Sequence, residues 1–469
     1  MLFSSLVFFV YFLPIVLLLH LILPLQVTVR FGDVAVPLKV KNTFLLLASI
    51  FFYAWGEIRY VPLILFSMAV NYLCGLGCAS PKQRVRGLSL GLSFAVNFGA
   101  LAYFKYAGFF MASVGLGALI PHIALPLGIS FYTFQAQAYM IDVYRKVAPP
   151  ERNFVSYGTY MLLFPQLVAG PIVLYTDVCR ELKQRKVTAA NLESGMMDFI
   201  AGLSAKVLLA NPLGALWETV RGMPQASSAA LWLGIFAFGL QIYFDFCGYS
   251  LMAIGIGKML GFRFPENFRH PYAARSIVEF WKRWHISLTT WFRDYVYMPL
   301  SRSLVKRKWG SLSIYVMASV VIWFLTGLWH GASWNFIAWG LWFFLLLMLE
   351  RFLLKGWLAR HRRWALAYTL WAVWMGWVLF AHDSLPDAWA FIVRMYAFTP
   401  GMDWLFPLRN NAVLLLAAVL CCMPPVMQRV WRVLKGNAVL RTGLLLFALL
   451  LCVAGLVNAD YNPFLYFRF

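Results

Sequence analysis

The stretch SLSIYVMASVVIWFLTGLWHGASWNFIAWGLWFFLLLML, Ser311 to Leu349, contains no Lys, Arg, Asp or Glu, and its only readily titratable side chain is His330. A helix needs about 20 mostly apolar residues to cross a bilayer. The segments 311–329 and 333–349 each approach that length, and His330 lies between them. We therefore predict a membrane hairpin over 311–349 that carries His330 at its turn.

The whole chain shares this apolar character. Hydrophobic residues make up 62% of its 469 positions and charged residues only 12%, whereas roughly a quarter of a soluble protein is charged. Further segments long enough to span a membrane are 3–25, 60–78, 87–104, 154–176, 190–211, 227–247, 364–381, 411–426 and 441–457. The sequence predicts an all-α polytopic membrane protein with about eleven transmembrane helices and shorter re-entrant or interfacial pieces. We expect one integral membrane domain over residues 1–469.

The charge balance is strongly positive, with 40 Lys and Arg against 18 Asp and Glu and a net charge of +22. By the positive-inside rule, basic clusters such as 180–186, 306–308 and 351–363 are predicted to be cytoplasmic. This orientation places Met1 and Phe469 outside and His330 toward the external half. An anionic cytosolic ligand is a second, compatible explanation of the charge. We expect membrane lipid as a partner, and neither a nucleic acid nor a metal.

The segment 263–310 is the most polar long region, yet it is dense in aromatic residues. Placed at 100° per residue, FWKRWHISLTTWFRDY (280–295) gathers its aromatic side chains on one side and its charges on the other, including Lys282, Arg283, Arg293 and Asp294. We predict an amphipathic helix at the cytosolic interface. His285 lies at the edge of the aromatic face. It is either incidental to a surface helix, or it points into a cavity while Lys282, Arg283 and Arg293 hold an anionic donor.

His330 is the stronger candidate, because ionisable groups inside membrane segments are costly and usually functional. Gly327 and Gly331 have the spacing that lets another backbone approach closely, and Trp329 would help to keep the site dry. Burial disfavours the imidazolium, so a neutral ring could act as a general base. The alternative is a histidine that binds a backbone carbonyl at a helix break. Asn335 could orient the ring in either case.

Other polar residues are interpreted as structural. His20 lies in the first span, His122 lies between Pro121 and Pro126, and His361 lies in a basic loop. Asp245 is expected to form an ion pair or hydrogen bond in the core. The His-x-x-x-x-Asp spacing of His382 and Asp387 is attributed to chance, because no cationic pocket is expected beside it. Serine-hydrolase, P-loop and zincin motifs are absent from the sequence.

Several longer motifs resemble the membrane-bound O-acyltransferase family. They are LPLGISFYTFQAQAYMIDVYR, FPQLVAGPIV, FDFCGYS, FPENFRHPYAARSIVEFWKRWHISLTTWFRDYVYMPL and FLTGLWHGASWNFIAWGLW. The resemblance extends from about residue 1 to 400 and is strongest to bacterial members that O-acetylate exopolysaccharides such as alginate and cellulose. It implies that His330 is the family's invariant histidine and that His285 is its second polar position. Leu251 departs from the pattern, since the family commonly has an acidic residue there.

The resemblance implies transfer of an acetyl group from cytosolic acetyl-CoA across the bacterial inner membrane to an exported exopolysaccharide. His330 and His285 would be the catalytic residues, and Asn335, Trp329, Asp245 and Asp294 would support them. We expect periplasmic or extracellular acyltransferase partner proteins to complete the transfer. Alternatives are D-alanyl transfer to teichoic acid and, in another class, a proton-coupled transporter or flippase. Transporters often contain inverted repeats with paired broken helices, and we find no such repeat in this sequence.

Overall fold

The computed structural model describes residues 3–31, 34–116, 124–168 and 170–457. These residues are almost entirely helical, and the strands among them are β1, Val27–Phe31, and β2, Val34–Leu38, paired antiparallel with Val27 opposite Leu38. The all-α prediction is therefore confirmed. The expectations for Met1, His122 and Phe469 concern positions outside the described residues.

The chain divides into two compact units, the first formed by Met1–Ala201 and Tyr249–Pro265 and the second by Gly202–Gly248 and Glu266–Phe469. The helices up to the first boundary are α1 Leu13–Ile22, α2 Val40–Glu57, α3 Val61–Cys78, α4 Gln83–Leu101, α5 Ala107–Ser113, α6 Ile129–Tyr144, α7 Phe154–Leu162, α8 Phe164–Leu167, α9 Tyr175–Lys183 and α10 Ala189–Ser204. Helix α10 and the later α12 contribute residues to both units. The single domain over 1–469 stays a prediction.

The remaining helices are α11 Asn211–Arg221, α12 Ser228–Met259, α13 Ile277–Trp281, α14 Ile286–Phe292, α15 Met298–Lys306, α16 Ser311–His330, α17 Trp334–Leu349, α18 Lys355–Arg360, α19 Arg362–Ala381, α20 Leu385–Tyr396, α21 Leu405–Cys422, α22 Pro424–Gly436 and α23 Ala438–Val457. Short π-helical turns occur at Val7–Phe12, Ala102–Tyr106, Ala205–Ala210, Arg293–Tyr297 and Glu350–Leu354. Several of these turns directly adjoin an α-helix, so that the turn and the helix form one longer helical segment.

Within the described residues, nine helical stretches are long and apolar enough to cross a membrane. This is fewer than the eleven expected from hydropathy. The predicted span 154–176 is instead the pair α7 and α8, which is interrupted at Leu163, where ψ is 114°. The N-terminal piece reaches only from Val7 to Ile22. Conversely, residues 42–56, which are apolar but shorter than a full span in the sequence, belong to α2, and α2 continues through Ile58–Tyr60 into α3.

The hairpin predicted over 311–349 is confirmed as α16 and α17, joined by a short turn after His330. The two helices approach at glycines, since a Cβ on Gly327 would collide with the carbonyl of Phe336, and one on Gly340 with the carbonyl of Trp323. Gly331 faces the Phe336 ring rather than a backbone. The close backbone approach predicted for Gly327 is therefore confirmed, whereas Gly331 accommodates a side chain.

The continuous amphipathic helix predicted over 280–295 is wrong. Helix α13 ends at Trp281, α14 begins at Ile286, and His285 between them has φ 44° and ψ 55°. A left-handed residue cannot continue a right-handed helix, and it is costly for a residue with a Cβ. The predicted separation of aromatic and charged side chains is nevertheless observed. Lys282 is exposed, whereas the following aromatic side chains are buried: Phe280, Trp281, Trp284, Trp291 and Phe292.

Candidate active site

The two candidate histidines line one cavity in the second unit, although they are 45 positions apart in the sequence. The cavity has a volume of about 360 Å³, and its walls come from residues 278–297, from α16 and from Leu347. Its titratable and hydroxyl-bearing lining residues are Lys282, His285, Thr289, Arg293, Tyr297, Tyr315, Ser319, Thr326 and His330. A mostly apolar cavity with a few converging polar groups is typical of a small-molecule site.

His330 is the last residue of α16 and is only 4% exposed. Aromatic rings surround its imidazole edge-on, with the centroids of Trp329 and Trp339 each 4.8 Å away and that of Phe380 5.3 Å away. Such packing restricts rotation of the ring and keeps bulk water from it. A neutral imidazole in this position has a lone pair that can accept a proton.

His285 is 1% exposed and is held by Asn267. The side-chain oxygen of Asn267 lies 3.2 Å from His285 Nδ1 and also accepts hydrogen bonds from the backbone N–H and the hydroxyl of Ser287. Because the Ser287 N–H requires an acceptor, the orientation of the Asn267 amide is fixed. His285 must then donate from Nδ1, so the lone pair of the neutral ring is on Nε2.

Hydrogen bonds also fix the backbone on both sides of His285. The N–H of Ile286 donates to the carbonyl of Asn267 over 3.0 Å, and the N–H of Arg269 donates to the carbonyl of Arg283 over 2.9 Å. A left-handed conformation at a buried histidine persists only where surrounding contacts impose it, and such strain concentrates at functional sites. Burial also lowers the pKa of His285 to about 3, so the ring is neutral at physiological pH.

Trp329 contacts both imidazoles. Its ring centroid lies 5.9 Å from that of His285 and 4.8 Å from that of His330. The sequence suggested Trp329 as a residue that excludes water. The structure places it where a change in its position would affect both histidines.

The three cations expected to bind the donor are in different environments. Lys282 and Arg293 line the cavity. The Nε and Nη2 atoms of Arg293 bind the carboxylate of Asp294 at 2.7 and 2.9 Å. Arg283 is not among the described residues that line this cavity, and it binds Glu279 over 2.5 Å and the His270 carbonyl over 3.4 Å. The structure therefore brings two of the three to the cavity.

Two further predicted residues have partners of their own. Asn335 donates through Nδ2 to the carbonyls of His382 and Leu379 at 2.7 and 3.3 Å, which fixes the turn after His330 against the end of α19. A direct contact of Asn335 with the imidazole stays a prediction. Asp245 forms a buried ion pair with Lys206 over 2.6 Å, which confirms the expected core partner.

The environment of His382 differs from the expectation. Arg221 and Arg394 line a cavity of about 280 Å³ together with His382 and Asp387, so cationic groups are present there after all. The sequence did not reveal them, because Arg221 precedes His382 by 161 positions and reaches it only through the tertiary fold. His382 itself binds the Val378 carbonyl through Nδ1 at 2.9 Å.

Sequence reasoning missed several residues that shape the site. Ser319, Trp323 and Thr326 lie on the same face of α16 as His330, and their spacing of three and four residues would have identified them. Asn267 and Glu350 had no such signal. The buried carboxylate of Glu350 accepts from the backbone N–H of Ile277 at 2.6 Å and caps α13, a contact between positions 73 apart.

The arrangement defines a class of protein: a multi-pass membrane protein with buried histidines in an apolar cavity. Residues 145–385 match the sequence profile of MBOAT, the membrane-bound O-acyltransferase family. The chain belongs to this family and is a membrane-bound O-acyltransferase. The transporter alternative is therefore set aside.

Individual relatives are similar over most of the chain. The probable alginate O-acetylase AlgI of Azotobacter vinelandii is 38% identical over 88% of this chain and 81% of its own length. The probable alginate O-acetylase AlgI of Pseudomonas aeruginosa is 37% identical, over 85% of this chain and 75% of that protein. A peptidoglycan O-acetyltransferase of Helicobacter pylori is 33% identical over 63% of this chain and 62% of its own.

Proposed function

We propose that this protein transfers an acetyl group from acetyl-CoA across the bacterial inner membrane for O-acetylation of an exported exopolysaccharide of the alginate or cellulose type. The observation that carries the mechanism is that His285 and His330 line the same cavity as Lys282 and Arg293. The names of the relatives, which refer to O-acetylation of alginate and of peptidoglycan, support the acetyl group and a polysaccharide acceptor.

In the proposed reaction, His330 is the general base. Its neutral imidazole takes the proton of an acceptor hydroxyl while the hydroxyl oxygen attacks the thioester carbonyl carbon. The tetrahedral intermediate collapses with cleavage of the carbon–sulfur bond, and the imidazolium returns its proton to the departing thiolate. General acid–base catalysis of this kind contributes typically about 10²–10⁴-fold in rate. The aromatic shell of His330 supports this role by restricting rotation of the ring and keeping bulk water from it.

His285 acts beside His330 in this proposal. Its ring, which the hydrogen bond of Nδ1 to Asn267 orients, places a second imidazole at the cavity, where it can contact a substrate. The cations Lys282 and Arg293 bind the phosphates of the donor, as Lys and Arg do for anions. Lys282 is exposed, so it can meet a donor that enters from the water phase.

The acceptor of this chain is proposed to be a hydroxyl on a periplasmic or extracellular acyltransferase partner, which then passes the acetyl group to the polymer. The described residues contain no separate non-helical domain that could hold an extended sugar chain. A covalent acetyl intermediate divides the membrane crossing and the modification of the polymer into two steps.

The test is an assay in proteoliposomes with labelled acetyl-CoA inside and the protein either wild type or His330→Ala. We expect the wild type to consume acetyl-CoA when a partner is present, and the variant to be at least about 100-fold slower at an unchanged folded yield. His361→Ala is the control, because this exposed histidine directly follows α18 and its Nδ1 lies 3.1 Å from the carbonyl of Trp357, one turn earlier in the chain.

Normal transfer by a folded His330→Ala protein would refute the general base. Efficient acetylation of external oligosaccharide without any second protein would refute the relay. Transfer of D-alanyl but not acetyl groups would assign the chain to teichoic acid modification instead.

A further inference from the structure

A second cavity, larger and more polar than the one that holds the histidines, lies in the first unit. Its volume is about 720 Å³. The charged residues that line it are Arg180, Glu181, Arg185, Lys186, Lys258 and Arg263, so cations outnumber the single carboxylate. Lys258 is neutralised by Asp198 at 2.5 Å. The proposed acyl transfer uses none of these residues.

Arg185 forms the buried part of this cavity. It is 7% exposed, whereas Arg180, Lys186 and Arg263 at the rim are exposed. Its Nη1 donates to the Asn42 side-chain oxygen at 2.6 Å, and its guanidinium carbon lies 4.8 Å from the Phe262 ring centroid. The guanidinium is therefore held in a fixed position.

The other edge of the same guanidinium has no acceptor among the described residues. Within the part of the chain that the structure describes, the buried Nε and Nη2 atoms of Arg185 make no hydrogen bond. These two N–H groups point in parallel and form the fork that binds two oxygens of one oxyanion. Buried donors without partners are rare in folded proteins, and each one requires an explanation.

Asn42, which binds Arg185, is itself held in place by hydrogen bonds. Asn42, which orients the guanidinium, donates through Nδ2 to the Leu182 carbonyl at 2.9 Å and to Ser156 at 3.0 Å. Both N–H groups of Asn42 Nδ2 are thus engaged, and the side-chain oxygen must face Arg185. Burial lowers the pKa of Arg185 to about 10, so the side chain remains cationic at neutral pH and requires a counter-charge.

We propose that this cavity binds a phosphate group, with the Nε and Nη2 atoms of Arg185 as a bidentate clamp and Lys186 and Arg263 as the outer cations. A phosphate supplies two oxygens at the spacing of the fork and enough charge for the remaining cations. The apolar side chains of Leu25 and Phe262 also line the cavity, which suits a phosphate ester with an organic part. The source is either a phospholipid headgroup or a soluble phosphate compound.

The experiment measures thermal unfolding of the full-length protein in detergent with four additives: inorganic phosphate, 3′,5′-ADP, phosphatidylglycerol, and diacylglycerol as the lipid without phosphate. We expect at least one phosphate-bearing additive to raise the melting temperature in a saturable way and diacylglycerol not to do so. Stabilisation by phosphatidylglycerol alone assigns a lipid headgroup, and stabilisation by 3′,5′-ADP or inorganic phosphate assigns a soluble compound.

Variants then locate the effect. Arg185→Gln should weaken the apparent affinity at least tenfold, and Arg185→Lys, which keeps the charge but loses the fork, should be intermediate. If Arg185→Gln does not fold, the test uses the double variant Lys186→Gln, Arg263→Gln, which changes two exposed residues at the rim of the cavity. We expect this double variant to weaken binding several-fold. The matched control is Lys306→Gln with Arg307→Gln, which removes two exposed charges elsewhere.

The proposal is overturned if no phosphate-bearing additive stabilises the wild type. It is equally overturned if the Arg185 or rim variants respond at the same concentrations as the wild type, or if the control pair loses as much affinity as the rim pair. Because the readout is unfolding rather than acyl transfer, failure here is distinguishable from failure of the proposed function.

Discussion

His285 donates a hydrogen bond from Nδ1 to the side-chain oxygen of Asn267, 18 positions earlier in the chain, over 3.2 Å. The same oxygen accepts from the N–H and hydroxyl of Ser287. One buried amide therefore fixes the tautomer of a candidate catalytic histidine and the start of α14.

Replacing Asn267 by Ala should impair both stability and acyl transfer. Each buried donor left without an acceptor costs about 1–3 kcal/mol, and His285 loses the contact that orients its ring. Asn267→Asp keeps the acceptor and should retain more stability than Asn267→Ala. Melting temperature and transfer rate measured on both variants would show this order. The control is Asn411→Ala on α21, whose amide donates to the Pro407 carbonyl of the same helix at 2.9 Å. Equal effects at the two sites would contradict the role of Asn267.

The buried state of His285 predicts a dependence of stability on pH. Its pKa is about 3 in the folded protein and about 6.5 when unfolded. The unfolded state therefore binds the proton first, and this contribution to stability, complete above pH 6.5, decreases as the pH falls from 6.5 toward 3. At pH 5 the loss is about 2 kcal/mol.

The measurement compares wild type and His285→Gln between pH 7.5 and 5 by unfolding in detergent. The wild type should lose more stability than the variant over this interval, because Gln does not titrate. His270 and His382 also have lowered pKa values caused first by burial, but they are present in both proteins and cancel in the difference. Parallel curves would show that His285 is not buried in its neutral form.

The hairpin and both histidines were predictable because hydropathy and chemical rarity are properties of the local sequence. A histidine inside an apolar stretch is conspicuous wherever the stretch folds, and the aromatic face of 280–295 is visible from its spacing. The break at 282–285 was not predictable. It is imposed by Asn267, and nothing local distinguishes a residue that tertiary contacts hold at φ 44°.

Hydropathy also overcounted the spans. Residues 154–176 are apolar enough to cross a membrane, yet the chain there forms α7, a break at Leu163 and the one-turn α8. The apolar side chains are buried against protein, as the near-zero exposure of Tyr157, Tyr160 and Phe164 shows. Hydropathy measures the preference for leaving water, and a protein interior satisfies that preference as well as lipid does.

The different environments of the three cations lead to a prediction about the donor. Lys282→Gln combined with Arg293→Gln should raise the apparent KM for acetyl-CoA by about tenfold or more and change kcat less, since these residues bind the donor without taking part in the chemistry. Arg283→Gln should leave KM nearly unchanged, because Arg283 is not among the described residues that line the cavity. Initial rates over a range of acetyl-CoA concentrations give both constants. If Arg283→Gln raised KM more than the Lys282→Gln, Arg293→Gln double variant, the donor site would have to lie on the other side of α13.

Replacing a glycine near the turn that carries His330 by alanine adds a methyl group to a tightly packed region. The effect on folding should depend on whether that methyl group collides with a side chain or with the backbone. A Cβ on Gly331 would collide with the Phe336 ring, whereas one on Gly327 would collide with the Phe336 backbone carbonyl. Gly331 has φ −172°, which is extended backbone open to any residue, so the obstacle at this position is steric alone. Overpacking of this kind costs typically about 1–3 kcal/mol.

We therefore expect Gly331→Ala and Gly327→Ala both to reduce folded yield and acyl transfer. Adding Phe336→Leu should rescue the Gly331→Ala protein but not the Gly327→Ala protein. A smaller side chain at 336 makes room for a methyl group at 331, but it cannot move the carbonyl that blocks 327. Gly356→Ala on α18 is the control, since a Cβ there would meet none of the described residues within 4 Å. Rescue of Gly327→Ala by Phe336→Leu would mean that α16 and α17 do not approach through their backbones, and His330 would then lose the close hairpin that orients it.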